Sequence, residues 1–221
     1  LLDQNLGRDV TDYQKLIPNY VDCLIGPKFA LMRPEFRNWR SKSLARRTRP
    51  RFRKLLVSMG GIDINNFTGQ ILDCLEKSEL SNKVKIVIVL GSGAPWLTQV
   101  EEKVGQSRFH GRVLVDITNM AEVLTESDVA IGAAGSSALE RCCLGVPSYV
   151  LSTAKNQKEG ALALNSVGAI YLSTDPARLV KEVCSVFANH DKAAELEKMS
   201  FYASQITEGI GVDNVLAHLV K

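Results

Sequence analysis

From Lys54 onward, short apolar runs alternate with stretches whose apolar residues recur every three or four positions. This is the pattern of strand–helix units stacked around a parallel sheet. Leu55 to Ser58 reads as a strand, Met59-Gly60-Gly61 as a tight turn, and Asn65 to Ser78 as a helix. Val84 to Leu90 is apolar almost throughout, which suits a strand covered on both faces. Gly91-Ser92-Gly93 follows as a turn, then a helix entered through Pro95. Shorter strands are expected at Val113 to Val115, Val129 to Ile131 and Ser148 to Leu151, with a helix from Ser136 to Leu144 stopped by Gly145 and Pro147. An edge strand near Ala169 to Leu172 precedes three helical stretches. The predicted fold is α/β: a Rossmann-like parallel sheet with helices on both faces, binding ligands at the carboxyl ends of its strands.

The first fifty residues break this rhythm. They carry a polar opening, Asp3-Gln4-Asn5, one strand pattern at Cys23 to Ile25, and Gly26-Pro27 punctuation. That is too little apolar sequence to close a core. Residues 1–53 therefore read as the remnant of a preceding domain followed by a basic helix or linker from Arg37 to Arg53, and residues 54–221 as the main domain.

Composition places the chain among folded proteins, with 45% hydrophobic and 23% charged residues. No apolar run reaches the roughly 18 residues of a membrane span. The net charge of +3 conceals an asymmetry: Arg37 to Lys54 holds nine basic residues and no acidic one, while 18 basic residues face 24 acidic ones elsewhere. Only Trp39 and Phe52 accompany the run as aromatics, and no nucleic-acid module surrounds it. It reads as the solvated face of a linker helix ahead of a patch that steers an anionic nucleotide, and nucleic acid comes last. The five cysteines, odd in number and without a C-x-x-C pair, read as reduced thiols in a cytoplasm.

The chemistry concentrates between Ser127 and Gln157. A strand ends in Gly132-Ala133-Ala134-Gly135-Ser136-Ser137 and a helix begins, which aims backbone N–H groups and the positive helix end at an anion. Ser136 or Ser137 is expected to cap that helix. A plain tight turn explains such glycines equally well. Glu140 tips the balance, because a carboxylate four residues into the helix can accept both hydroxyls of a ribose whose phosphates sit at the helix end. Asn156-Gln157 lies past the next strand, either as a polar helix start or facing the ligand. Gly91-Ser92-Gly93 reads as a structural turn ahead of a ligand loop.

The run Asp128-x-Ala130-Ile131-Gly132-Ala133-Ala134-Gly135-Ser136-Ser137-x-x-Glu140-Arg141-Cys142-Cys143-Leu144-Gly145-x-Pro147, followed by Asn156-Gln157, resembles the nucleotide-binding domain of the pseudaminic acid pathway hydrolases. These are UDP-2,4-diacetamido-2,4,6-trideoxy-β-L-altropyranose hydrolases, similar in fold to MurG glycosyltransferases. Further segments match in order: Leu1 to Gly7, Gly26 to Leu31, Arg33-Pro34-Glu35-Phe36, Ser58 to Asp63, and Glu208-Gly209-Ile210-Gly211, where Glu replaces the family's Asp.

The resemblance implies the C-terminal half of a GT-B fold, with Leu1 falling late in the N-terminal domain. It implies that Gly135, Ser136 and Ser137 hold a UDP diphosphate and Glu140 the ribose. Ile117-Thr118-Asn119-Met120 would present backbone groups to uracil, Gly60 and Gly61 would approach the phosphates or sugar, and Asn156 and Gln157 would face the sugar or the attacking water. The family's catalytic histidine has no counterpart here, since His110, His190 and His218 fall outside every matched motif. The implied ligand is a UDP-sugar or UDP, with no metal or other cofactor, no nucleic acid, and a cytoplasmic monomer as the acting species. A MurG-like donor-binding domain and a non-catalytic nucleotide-sugar-binding module are the alternatives.

Overall fold

The computed structural model describes residues 1–152, 154 and 157–220, apart from the side chain of His190. Six parallel strands form the central sheet: β3 (Lys54–Ser58), β4 (Lys85–Leu90), β5 (His110–Val115), β6 (Val129–Ala133), β7 (Ser148–Leu151) and β8 (Tyr171–Ser173). Their spatial order is β5-β4-β3-β6-β7-β8. Counted from β3 this is the 3-2-1-4-5-6 order of doubly wound dinucleotide-type sheets, so the chain reverses its direction of travel between β3 and β6. The connections leaving these two neighbours diverge and open a crevice at their carboxyl ends.

The alternation within each strand explains the continuous apolar runs. Leu55 and Val57 of β3 and Val129 and Ile131 of β6 face a core shared with α2 (Phe67–Glu76) and α7 (Pro176–Ala188). Leu56 and Ala130 face the opposite core, shared with α4 (Met120–Glu126) and α5 (Ser136–Cys143). Both faces are covered, as the sequence pattern predicts.

Several boundaries differ from the sequence reading. β5 begins at His110 rather than Val113, because β4 pairs along its whole length with His110–Val115. The polar start, His110-Gly111-Arg112, is tolerated at the sheet's edge, where one side of the strand meets solvent. β6 runs on through Gly132 to Ala133, and β8 sits at Tyr171–Ser173 instead of Ala169–Leu172. Pro95 lies in the turn before α3 (Leu97–Gln106), not in its first helical turn.

The amino-terminal segment is tied to this core. β1 (Leu2–Asp3) pairs in parallel with β2 (Leu24–Ile25). Gly7 and Asn5 lie against Ala163 and Gly160 of α6 (Lys158–Ser166). Phe29, Ala30, Met32 and Phe36 are buried, the last three within the α4/α5 core. The turn at Gly209 and the start of α9 (Gly211–Leu219) close on this segment: a Cβ on Gly211 would stand 2.1 Å from the Ala30 carbonyl oxygen. Only glycine permits that approach.

The basic run forms α1 (Pro34–Arg47), which packs on α4, α5 and α8 (Ala193–Ser204). Its charge is not simply a solvated face. Arg40 donates to the carbonyls of Cys143 and Ser204, and Arg46 to Asp128 and the Glu126 carbonyl. Arg47 is buried on the carbonyls of Leu124, Thr125 and Ser127. The positive ends of this helix's arginines satisfy the open carbonyl ends of α4 and α5, a tertiary use that the one-dimensional charge run does not reveal. Among the described residues, no helix is long and apolar enough to cross a membrane.

Candidate functional site

The site is assembled from the loops that leave β3, β5, β6 and β7 at the carboxyl edge. After β3, Gly60 has φ +102°, and among the described residues a Cβ on Gly60 or Gly61 would meet nothing within 4 Å. Behind this turn, the Gly61 carbonyl accepts the Gly91 N–H at 2.8 Å, and a Cβ on Gly91 would collide with that same oxygen. Ser92 N–H donates to Asp116 Oδ1 at 3.0 Å, and the Ser92 hydroxyl together with this N–H holds the Asp116 carboxyl below the usual carboxylate range. Gly91-Ser92-Gly93 is thus a brace between loops, in agreement with its reading as a structural turn.

After β6 the chain turns through Gly135, which adopts φ +125° and ψ −163° and is itself the N-cap of α5. No side chain caps this helix. Ser136 and Ser137 occupy its first two positions instead of capping it, because the cap lies one residue earlier, where the backbone conformation favours glycine. By the geometry of a first helical turn, their N–H groups have no intrahelical acceptor. They face the crevice end of the sheet with the positive helix pole behind them. Ser136 is exposed, and the Ser137 hydroxyl oxygen accepts a hydrogen bond from Arg141 Nη1 at 3.3 Å.

Gln157, the N-cap residue of α6, closes the other side of the turn. Its amide stands where a Cβ on Gly135 would come within 3.0 Å of Nε2, a second reason for glycine there. The Gln157 Oε1 atom is buried without a hydrogen-bond partner among the described residues. Buried amide oxygens rarely lack a donor, so this one is open to a ligand hydroxyl or to water. Asn156, which the resemblance places toward the sugar or the attacking water as the catalytic candidate of this chain, lies outside the described residues.

Glu140 sits one turn into α5 and is half-buried. Burial pushes its carboxyl pKa up, while the charges of Arg33 and Arg141 pull it down and Glu35 adds a smaller upward push. Arg33 also donates to the Thr118 carbonyl at 3.3 Å and pairs with Glu35 at 2.8 Å. It thereby ties the loop after β5 to the surroundings of Glu140. In that loop Asn119 occupies the N-cap position of α4, its amide held by Glu122 at 2.7 Å, and the Met120 side chain packs against the core.

Gly135, Ser136, Ser137, Glu140 and Gln157 thus gather around one turn, Gly60 and Gly61 stand across the crevice in the loop after the neighbouring strand, and Asn119 and Met120 lie farther along the edge. The sequence reading overlooked Arg33, Glu35 and Arg141 as parts of this cluster. A signal existed for Arg141, the one charged residue between Leu139 and Val146 apart from Glu140. The histidines lie elsewhere: His110 opens β5 at the amino edge, and His218 on α9 meets Phe29 edge-on at 5.7 Å between ring centres. Among the described residues no cluster of three or more His, Cys, Asp or Glu side chains is arranged to hold a metal ion.

Known proteins share this arrangement in part. The spore coat polysaccharide biosynthesis protein SpsG of Bacillus subtilis (strain 168) is 26% identical over 144 residues, 65% of this chain and 41% of its own length. The UDP-2,4-diacetamido-2,4,6-trideoxy-beta-L-altropyranose hydrolase of Campylobacter jejuni subsp. jejuni serotype O:2 is 29% identical over 168 residues, 76% of this chain and 57% of its own. The matched stretch is therefore less than two thirds of either relative. In fold, the chain is similar to MurG of Acinetobacter baumannii, with a TM-score of 0.60 at 19% identity over 77% of this chain and 52% of that one. It is likewise similar to the UDP-GlcNAc 2-epimerase of Neisseria meningitidis, with a TM-score of 0.60 at 13% identity over 76% and 44%. Residues 55–210 match the glycosyltransferase family 28 C-terminal domain, and the chain belongs to that family.

Proposed function

We propose that this chain is the UDP-binding portion of a UDP-sugar hydrolase that cleaves the sugar C1–O bond, releasing UDP and 2,4-diacetamido-2,4,6-trideoxy-L-altrose. The observation that carries the reading is the uncapped amino terminus of α5, with Gly135 at φ +125° and Glu140 half-buried one turn behind it. A diphosphate takes the N–H groups of Ser136 and Ser137. The ribose hydroxyls donate to the Glu140 carboxylate, Gly60 and Gly61 border the sugar, and Gln157 offers its vacant amide oxygen to a sugar hydroxyl or to the attacking water. Uracil lies against the backbone of Asn119 and Met120.

In the reaction, water attacks C1 and the C1–O bond breaks toward UDP. The charge that develops on the departing diphosphate falls on the α5 terminus, so the reading needs no metal. The base that takes the water's proton is assigned to a segment outside these 221 residues, with Asn156 at most orienting the water. The protein acts in the cytoplasm as a monomer. Hydrolysis is favoured over transfer to an acceptor by the similarity to the Campylobacter jejuni hydrolase across 76% of the chain. Family membership supports a donor-binding domain of a glycosyltransferase as the second reading.

Titration calorimetry with UDP, UMP and ADP tests the binding reading: UDP binds most tightly, and Glu140→Ala removes the preference. Equal affinity for ADP overturns it. With the complete protein, product analysis on the UDP-sugar distinguishes free sugar from a transferred one, and a transferred sugar overturns the hydrolase reading.

A further inference from the structure

The helix that presents Ser136 and Ser137 carries a fully buried cation behind them. Arg141 is 2% exposed, at the carboxyl end of β6. Its Nη2 donates to the Ala133 carbonyl at 2.7 Å and its Nη1 to the Ser137 hydroxyl oxygen at 3.3 Å. The Nε–H is buried with no partner among the described residues. Among the described residues no carboxylate forms an ion pair with it; the adjacent Glu140 carboxylate favours its charge only through space. The guanidinium lies across the backbone of β6, where a Cβ on Gly132 would stand 2.5 Å from Nη1. A glycine inside a central strand weakens it, and here the missing side chain makes room for the cation. Burial lowers the Arg141 pKa to about 10, so the group stays charged at neutral pH.

A buried charge that no carboxylate touches, with Glu140 acting on it only through space, is costly unless a further opposite charge approaches. The groups it touches belong to the turn that would face an anion. Because Arg141 donates to the Ser137 oxygen, the hydroxyl proton of Ser137 is left to point elsewhere, and because it holds the Ala133 carbonyl, it fixes the entry into Gly135.

We propose that Arg141 is a positioning residue of the β6–α5 turn whose buried charge makes the site select a diphosphate over a monophosphate or an uncharged nucleoside. The inference rests on the nucleotide-binding reading above and deepens it by assigning the source of charge discrimination. Arg141 does not touch the ligand. It acts through Ser137, the Ala133 carbonyl and the low-dielectric space beneath the turn, where a charge is screened less than in water.

The test is titration of the wild type, Arg141→Met and Arg141→Lys with UDP, UMP and uridine, alongside their thermal unfolding. Arg141→Met is expected to lose roughly 10- to 100-fold in UDP affinity, the size of a through-space charge interaction at reduced dielectric, with less than about 3-fold loss for uridine. Arg141→Lys keeps the charge without the planar fork and is expected to restore most of the preference for UDP over uridine. Equal proportional losses for all three ligands, or an unchanged UDP-to-uridine ratio in Arg141→Met, overturn the inference while leaving the binding reading intact. Absence of UDP binding by the wild type overturns both.

Should Arg141→Met fail to fold, the wild type supplies the answer through the arginine Nε–H resonance that disappears in Arg141→Lys. That resonance is expected to shift with UDP and with pyrophosphate but not with uridine, and indifference to pyrophosphate overturns the inference.

Discussion

The two ends of β6 each hold a buried arginine, and the arginines are used in different ways. At the amino end Arg47 is surrounded by acceptors: the carbonyls of Leu124, Thr125 and Ser127 and the hydroxyl of Ser43. Asp128 lies close enough to favour its charge and also receives the Arg53 and Lys54 N–H groups, each at 2.9 Å. At the carboxyl end Arg141 has two acceptors among the described residues, and Glu140 favours its charge only through space. Burial lowers both, Arg47 to about 9 and Arg141 to about 10, and both remain charged at neutral pH. Among the described residues each arginine leaves its Nε–H unpartnered and forms no ion pair, so the difference lies in the acceptors: four around Arg47, which staple α1 to α4, against two around Arg141, both in the glycine turn.

The largest effect expected is on the amino end. Arg47→Met removes the donors for three helix-end carbonyls and should lower stability by on the order of 3 kcal/mol in urea denaturation, with UDP affinity of the folded protein unchanged. A stable Arg47→Met variant that binds UDP poorly would erase the contrast between the ends. Next comes Gly135→Ala at the carboxyl end. A non-glycine residue at φ +125° pressed against Gln157 should cost about 1 to 2 kcal/mol of stability and about 10-fold or more in UDP affinity.

Glu140→Gln sharpens the contrast by separating binding from stability. Burial raises the Glu140 pKa, so the folded protein holds a proton over a range where the unfolded chain has released it. The stability tied to this group is fully present below the ordinary Glu range and is lost as pH rises through the folded value. Glu140→Gln should therefore melt higher than the wild type at neutral pH, with the difference vanishing in acid, while UDP affinity falls by about 5- to 10-fold. UDP affinity of the wild type should rise with pH across the same range, since the ribose hydroxyls favour the ionised form. A variant that binds UDP as well as the wild type removes Glu140 from the site. The smallest effect belongs to a pair far from both ends: Arg37 and Asp213, both largely exposed and 2.7 Å apart. Replacing either by Ala should change stability by no more than about 0.5 kcal/mol, and a larger loss would show that exposed pairs of the basic helix matter as much as its buried arginine.

Much of this arrangement could be read from the chain alone, because it depends on local pattern. Continuous apolar runs at Leu55 to Ser58 and Val84 to Leu90 specify doubly covered strands, and Gly135 with Ser136 specifies a turn into a helix. Strand ends at the sheet's margins were less legible. His110-Gly111-Arg112 carries no apolar signal, and its strand conformation comes from pairing with β4. The helix cap was misplaced by one residue because serine is the commoner cap, whereas the observed positive φ belongs to Gly135.

What the sequence by itself determined is the order of strands and helices and the glycine turn with its downstream carboxylate, since backbone preference and hydrophobic period act within a few residues. Which arginine of the basic helix is buried, which turn lies across the crevice from Gly135, and that the Arg141 guanidinium lies over Gly132 were decided only by the tertiary structure. Burial and electrostatic pairing depend on distances through space, and residues far apart in the chain meet there only after the sheet has brought β3 and β6 side by side.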